Sequence, residues 1–142
     1  MTCGIEHVGL SVSNLDRSIS FYCGILDFKL DRIIESGPEM GLGRIVGMDD
    51  AEARIAHLSS KKAMLELFEY RKPRGRPIRK DTRQADLGFI HIGIETEDLK
   101  EDYLCLKEKG VRFLGNPVEF RPGVWVVYFY GPDGEVCELR QT

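Results

Sequence analysis

The sequence predicts an α+β fold made of two βαβββ modules, and three observations lead to this expectation. First, His7-Val-Gly-Leu returns as His91-Ile-Gly-Ile, and a helical pattern follows each copy. Second, each copy closes on a strand that carries an acid beside leucine, at Glu66 and at Glu138. Third, 142 residues with 42% hydrophobic and 30% charged side chains are typical of one soluble globular domain.

Changes in hydrophobic periodicity define the elements of the first module. Residues 4–12 alternate between apolar and small or polar side chains, which predicts a strand. Asn14 is a suitable N-cap for a helix over 15–26, whose apolar positions recur every three or four residues. The remaining predicted strands of this module lie at 27–34, 53–59 and 63–70.

The second module repeats this order. A strand is predicted over 88–95, and the helix that follows ends before Gly110, a favourable residue for a helix C-terminus. Gly131-Pro-Asp-Gly is a strong turn signal, so the last two strands form a hairpin. The other predicted elements are a helix over 98–109 and strands at 111–114, 124–130 and 135–140.

The modules, 1–70 and 88–142, are joined by a linker at 71–87 that carries most of the positive charge. Residues 71–83 hold seven Arg or Lys against one Asp, whereas the whole chain has a net charge of −3. This basic segment is either a solvated linker or a loop that recruits an anionic substrate. Its lack of interleaved aromatic residues and the acidic remainder of the chain argue against a nucleic-acid partner. We expect 71–86 to be flexible and the glycine-rich stretch 35–52 to be a flexible loop, as lids often are.

The sequence also favours a cytoplasmic protein with no membrane partner. Its longest apolar or aromatic run, 124–130, is far too short to span a bilayer, and no secretory leader is visible at the N-terminus. The four cysteines do not form a CxxC pair, and we interpret them as buried thiols in a reducing compartment. They are Cys3, Cys23, Cys105 and Cys137.

Strand alternation predicts where the polar residues of the repeat point. In both opening strands the apolar side chains share one face, so His7 and His91 lie on the other. The same alternation directs Glu66 and Glu138 away from their leucine neighbours. Two imidazoles and two carboxylates suit a divalent ion such as Zn, Ni, Co, Mn or Fe(II). Taken singly, each has a simpler interpretation, as a hydrogen-bonded core histidine or as a solvent-facing acid.

Four motifs together make the chain resemble the vicinal oxygen chelate superfamily. This superfamily includes glyoxalase I, methylmalonyl-CoA epimerase, extradiol dioxygenases and the fosfomycin- and bleomycin-resistance proteins. The resemblance covers nearly the whole chain. The motifs are His7-Val-Gly-Leu-Ser-Val-Ser-Asn-Leu-Asp-Arg-Ser-Ile-Ser-Phe-Tyr, Met64-Leu-Glu-Leu-Phe-Glu, Phe89-Ile-His-Ile-Gly-Ile and Gly131-Pro-Asp-Gly-Glu-Val-Cys-Glu-Leu.

The resemblance implies a single glyoxalase-like domain over 1–142, with helices outside a cupped mixed sheet that surrounds a metal ion. The family's ligand positions fall on His7, Glu66, His91 and Glu138. It implies a lyase or isomerase that moves a proton beside a metal-chelated carbonyl, with Glu138 or Glu66 as the base. The substrate would be a small molecule with neighbouring oxygens, and the assembly a homodimer.

Two alternatives to a lyase or isomerase remain at this stage. One is a small-molecule binding or resistance protein, and the other is an extradiol-type dioxygenase with non-haem iron. Candidate substrate contacts are Arg54, Phe68, Trp125 and Tyr128, whereas His57 is interpreted as a structural or surface residue.

Overall fold

The computed structural model describes residues 4–142, which divide into two compact units. The first unit ends at Pro77 and the second runs from Ile78 to Thr142. Each unit contains one four-stranded mixed sheet, so the predicted α+β fold with a repeated βαβββ order is confirmed. No helix within residues 4–142 is long and apolar enough to cross a membrane.

The first unit is a sheet in the order β1-β4-β3-β2, in which β1 is parallel to β4 and the other neighbours are antiparallel. Its main helix α1 packs against one face, where Leu15, Tyr22 and Leu67 are completely buried. The elements are β1 (His7–Ser11), α1 (Leu15–Gly24), β2 (Lys29–Ser36), a 3₁₀ turn (Pro38–Met40), α2 (Leu42–Val46), β3 (Glu52–Ser59) and β4 (Met64–Lys72).

The second unit has the same topology, with the order β5-β8-β7-β6 and β5 parallel to β8. Phe129 and Leu99 are completely buried in its core, where the ring of Phe113 packs against Phe129 at a centroid distance of 5.8 Å. The elements are β5 (Ile92–Glu95), α3 (Leu99–Glu108), β6 (Val118–Arg121), β7 (Val124–Tyr130) and β8 (Val136–Gln141).

Both main helices are attached to the last strand of their unit in the same way. In α1 the side chain of Asn14 accepts from the Arg17 amide, and Glu69 of β4 accepts from the Leu15 amide at 2.8 Å. These bonds satisfy amides that have no partner within the helix.

The equivalent bonds recur in α3. Asp98 accepts from the Glu101 amide at 3.0 Å, and Gln141 of β8 accepts from the Leu99 amide at 3.0 Å. We call the Glu69 and Gln141 contacts the strand-to-helix tethers, because each fixes the start of a helix to the strand that also carries Glu66 or Glu138.

Three expectations about local structure were wrong. The stretch 35–52 contains a 3₁₀ turn and the helix α2, where a loop was predicted. The segment 111–114 is not a strand: it contributes only an isolated bridge between Phe113 and Phe129, and the edge strand lies at Val118–Arg121. Cys105 is exposed and Cys23 half-buried, so of the described cysteines only Cys137 is buried; Cys3 lies outside the described residues.

We expect Gly43→Ala to destabilise the protein, because a Cβ atom there would lie 2.5 Å from the backbone oxygen of Met48. Neither atom can move without distorting α2, and such overpacking costs about 1–3 kcal/mol. At about 2–4 °C per kcal/mol, thermal unfolding should shift by several degrees. Gly24→Ala in α1 is the matched control, since its Cβ would meet nothing within 4 Å. An equal effect of both changes would contradict the packing of α2.

The strand-to-helix tethers should contribute to stability through an acceptor oxygen, not through charge. Glu69→Leu leaves the Leu15 amide without its partner, which costs about 1–2 kcal/mol in urea unfolding. Glu69→Gln keeps an oxygen acceptor and should retain most of the stability. Gln141→Leu and Gln141→Glu are the corresponding pair in the second unit. Leucine variants as stable as their polar counterparts would show that the tethers are dispensable.

Asp16 should make stability depend on pH. Its carboxylate receives a bidentate hydrogen bond from Arg54 across 38 residues, at 3.0 and 3.1 Å, which lowers the pKa of Asp16. A lowered folded-state pKa stabilises the protein above the unfolded pKa, and this contribution is lost as pH falls through the folded pKa. The stability difference between wild type and Asp16→Asn should therefore be largest near neutral pH and shrink in acid.

Asp81 provides the control for this measurement. Its pKa is also lowered by an arginine, but Arg79 lies only two residues away and the pair links no distant segments. Asp81→Asn should therefore change unfolding less than Asp16→Asn at neutral pH. A pH-independent effect of Asp16→Asn would contradict the assigned ion pair.

Candidate functional site

The first candidate pair, His7 and Glu66, is set by the register of two parallel strands. Gly9 of β1 lies opposite Glu66 of β4, so the two residues share a face, and His7 lies on it two residues earlier. The Nε2 atom of His7 lies 3.1 Å from Oε2 of Glu66. Val8 and Leu10 point to the opposite face, as the alternation predicted.

His57 joins this pair from the neighbouring strand. It lies opposite Glu66 in the β3–β4 ladder, and its Nε2 atom is 3.0 Å from Oε1 of Glu66. Its other ring nitrogen accepts a hydrogen bond from Nε of Arg32 at 3.1 Å. His57 is only 8% exposed, which agrees with the structural rather than the surface alternative of its interpretation. This contact can be identified from the pairing of β3 with β4, which sets His57 opposite Glu66.

The second candidate pair, His91 and Glu138, occupies the equivalent positions of the second unit. Gly93 of β5 lies opposite Glu138 of β8, and Nε2 of His91 is 3.8 Å from Oε2 of Glu138. A Cβ atom on Gly93 would approach Oε2 of Glu138 to 3.4 Å, so glycine leaves room beside the carboxylate. Cys137 points to the other face, where it is completely buried.

Tyr128 lies beside the second pair in the position that His57 holds beside the first. It is opposite Glu138 in the β7–β8 ladder, and its ring packs against that of His91 at a centroid distance of 5.0 Å. Burial raises the pKa of the Tyr128 phenol, and the charge of Glu138 and the hydrogen bond to it raise it further. The phenol therefore remains a hydrogen-bond donor to Glu138 in neutral solution.

The exposed carboxylate of Glu6 also affects the first pair. Glu6 forms a short hydrogen bond with Nδ1 of His7, and this bond raises the pKa of His7. The negative charge of Glu66 acts in the same direction. Two carboxylates therefore flank the His7 ring, one on each nitrogen.

Two predicted substrate contacts lie away from the candidate pairs. Arg54 faces the α1 side of the first sheet, where its guanidinium binds Asp16 and Glu35 and lies 3.6 Å from Glu69. Trp125 lies on the α3 side of the second sheet, with Nζ of Lys100 4.3 Å from its ring centroid. The structure therefore gives both residues a role in holding a helix.

Phe68 lies on the same face as Glu66, and the segment that was expected to be a loop covers this part of the sheet. Leu42 of α2 is buried in a cluster with Ile55, and the rings of Phe68 and Tyr70 pack against that cluster. The two rings are stacked with centroids 5.9 Å apart. This apolar wall stands on the face that carries His7, His57 and Glu66.

The chemistry of these donors fits a divalent metal ion, and each unit contributes one imidazole and one carboxylate. Within residues 4–142, no group of three or more His, Cys, Asp or Glu side chains has an arrangement that could hold a metal. Imidazole and carboxylate donors are nevertheless those that zinc and its neighbours prefer. The Nδ1 atom of His91 is buried and has no hydrogen-bond partner among the described residues. A metal ion bound at the second pair would therefore contact an imidazole ring in which one nitrogen has no hydrogen-bond partner among the described residues.

Comparison with protein families gives one match that covers nearly the whole chain. The family described as the Glyoxalase/Bleomycin resistance protein/Dioxygenase superfamily matches residues 4–139. A probable lactoylglutathione lyase from Synechocystis is 29% identical over 96% of this chain and 93% of its own length. Human mitochondrial methylmalonyl-CoA epimerase is 23% identical over 97% of this chain and 73% of its own length.

Solved structures support the same fold. A glyoxalase family protein from Bacillus cereus superposes with a TM-score of 0.88 at 21% identity and covers 99% of this chain and 94% of its own. The fosfomycin resistance protein FosX from Listeria monocytogenes, solved with Mn(II) and sulfate, superposes with a TM-score of 0.65 at 17% identity. It covers all of this chain and 94% of its own.

Proposed function

We propose that this chain, which belongs to the Glyoxalase/Bleomycin resistance protein/Dioxygenase superfamily, is a metal-dependent lyase or isomerase acting on a small substrate with neighbouring oxygens. The observation that carries the proposal is that each unit places one histidine beside one shielded glutamate, with His7 at the start of β1 and His91 directly before β5. The distances are 3.1 Å for His7–Glu66 and 3.8 Å for His91–Glu138. Each unit thus offers one imidazole and one carboxylate, which are donors that divalent ions prefer.

In this proposal His7, Glu66, His91 and Glu138 hold one divalent ion between them. Zinc, nickel, cobalt, manganese and iron(II) all accept such donors. Such an ion, if held by these residues, would also attract the neighbouring oxygens of a substrate. The epimerase and the probable lyase among the relatives have names that fit this chemistry, and the Listeria protein binds Mn(II).

When bound, the ion supplies Lewis-acid polarisation of a carbonyl oxygen and so acidifies the neighbouring C–H bond. The chain itself has to orient the substrate and accept the proton. Phe68 shares the face of β4 that carries Glu66, and Tyr128 lies opposite Glu138 in the β7–β8 ladder, so both are placed to contact a substrate at these carboxylates. One of the two carboxylates, Glu138 or Glu66, would take the proton and return it to a neighbouring atom or face.

Glu138 is the better placed of the two candidate bases. Each oxygen of Glu66 lies about one hydrogen-bond length from an imidazole nitrogen, at 3.0 Å from His57 and 3.1 Å from His7. Glu138 lies 3.8 Å from His91, beyond hydrogen-bond length, and its other partner is the Tyr128 phenol. The less restrained carboxylate can move towards a substrate proton and return.

A second candidate function is sequestration or modification of a drug-like small molecule. The likeness of the fold to the fosfomycin resistance protein supports it. The two candidates are distinguished by turnover in D₂O with an α-hydroxy ketone as the probe. Deuterium incorporation beside the carbonyl supports the lyase or isomerase, whereas stoichiometric binding without exchange supports the alternative.

The chain should bind one divalent ion through both pairs. We expect Ni²⁺ or Zn²⁺ titration of metal-stripped protein to saturate at one ion per chain. His7→Ala and His91→Ala should each weaken binding by more than the roughly 10- to 100-fold typical of losing a residue that only supports a ligand. Both should stay folded, because a domain of this length buries about two-thirds of its unfolded surface. Independent binding at each pair would contradict the shared site.

Replacing each glutamate with glutamine separates proton transfer from metal ligation. An amide oxygen can still ligate but cannot accept the proton, so Glu138→Gln should keep the metal and lose deuterium exchange. Glu66→Gln should keep both metal and most of the exchange if Glu138 is the base. Full exchange in Glu138→Gln, or full exchange by metal-stripped wild type, would contradict the mechanism.

A further inference from the structure

His57 is a buried residue that the proposed chemistry does not use, and both of its ring nitrogens are engaged. Nδ1 accepts from Nε of Arg32 at 3.1 Å, and Nε2 lies 3.0 Å from Oε1 of Glu66. His57 is 8% exposed and lies directly opposite Glu66 in the β3–β4 ladder. The order Arg32, His57, Glu66 therefore forms a continuous hydrogen-bonded chain across three neighbouring strands.

The chemistry of arginine fixes the direction of this chain. A guanidinium can only donate hydrogen bonds, so the nitrogen of His57 that faces Arg32 must carry a lone pair. The ring proton then lies on Nε2, where it points to Oε1 of Glu66. In this tautomer Nε2 has no lone pair for a metal, and His57 can act on Glu66 only as a donor.

The second unit has a donor in the same place. Tyr128 lies opposite Glu138 in the β7–β8 ladder, as His57 lies opposite Glu66, and its phenol donates to that carboxylate. Each glutamate of the two pairs thus has a histidine on one side and a donor from the next strand on the other. The two donors differ in how they are held. The ring nitrogen of His57 that faces away from Glu66 accepts a hydrogen bond from the cationic side chain of Arg32.

We propose that His57 is a positioning residue, which holds Oε1 of Glu66 and thereby directs Oε2, together with His7, to the metal ion. This inference rests on the proposed function in that it takes Glu66 as a metal ligand. In this inference Arg32 keeps the imidazole of His57 in the tautomer that donates to Glu66. Residues of this kind typically contribute about 10- to 100-fold in metal affinity.

Metal affinity tests the role through a rescue variant. Co²⁺ is titrated into the metal-stripped full chain and followed by its visible absorption. His57→Leu should weaken Co²⁺ binding about 10- to 100-fold and alter the spectrum. His57→Gln, whose side-chain amide can both accept from Arg32 and donate to Glu66, should recover most of the loss. Ser59→Ala is the matched control, since Ser59 lies two residues along β3 and bonds Asp31 instead.

The tautomer is tested without any metal. In ¹⁵N-edited spectra of metal-stripped wild type, His57 should carry its proton on Nε2, and Arg32→Leu should produce a mixture of tautomers. A proton on Nδ1 in wild type would overturn the proposal even if His57→Leu did not fold.

The remaining outcomes separate this inference from the function on which it rests. Wild type that binds no Co²⁺ would overturn the proposed metal-dependent function and with it any metal-directing role of His57. Wild type that binds Co²⁺, with His57→Leu binding equally well, would overturn the positioning role alone. A loss in His57→Leu as large as in His7→Ala, with no recovery in His57→Gln, would make His57 a ligand and also overturn it.

Discussion

The register between the first and last strands of each unit is the constraint on which the candidate site depends. Because side chains alternate along a strand, a slip of one residue would move Glu66 or Glu138 to the helix side of its sheet. The observed register sets a glycine opposite each glutamate and a histidine two residues before that glycine. The apolar residues that alternate with these polar ones are buried against the helices, so burial of the core also enforces the orientation of the polar face.

Much of the fold follows from local pattern, and the exceptions have physical causes. The helices α1 and α3 have caps and apolar stripes, and the last hairpin has a strong turn sequence, so their positions could be predicted. Helix α2 could not, because glycine disfavours helices and this one is stabilised by burial of Leu42 against the sheet. Strand β6 alternates apolar and polar side chains over only four residues, and all four are exposed, so no buried face distinguishes it from a loop.

The candidate site was predictable where it depends on repeat and alternation and unpredictable where it depends on pairing between strands. Alternation was enough to place His7 and Glu66 on one face of their strands. Whether Arg54 or His57 shares that face depends on how β3 is aligned with β4, and no local pattern contains this information. Trp125 was equally hard to place from sequence. An aromatic side chain can line a substrate-binding site or pack beneath a helix, and here it packs against Lys100 of α3.

The strand-to-helix tethers have a consequence for how such a chain could evolve. Glu66 and Glu69, like Glu138 and Gln141, are three residues apart on one strand, and so they face opposite sides of the sheet. The side that carries the candidate chemistry can therefore accumulate substitutions while the attachment of the helix stays intact. Each half also contains its own attachment, so a duplicated copy would begin with a complete scaffold. Mutational drift in one copy could then create a new specificity without first destabilising the fold.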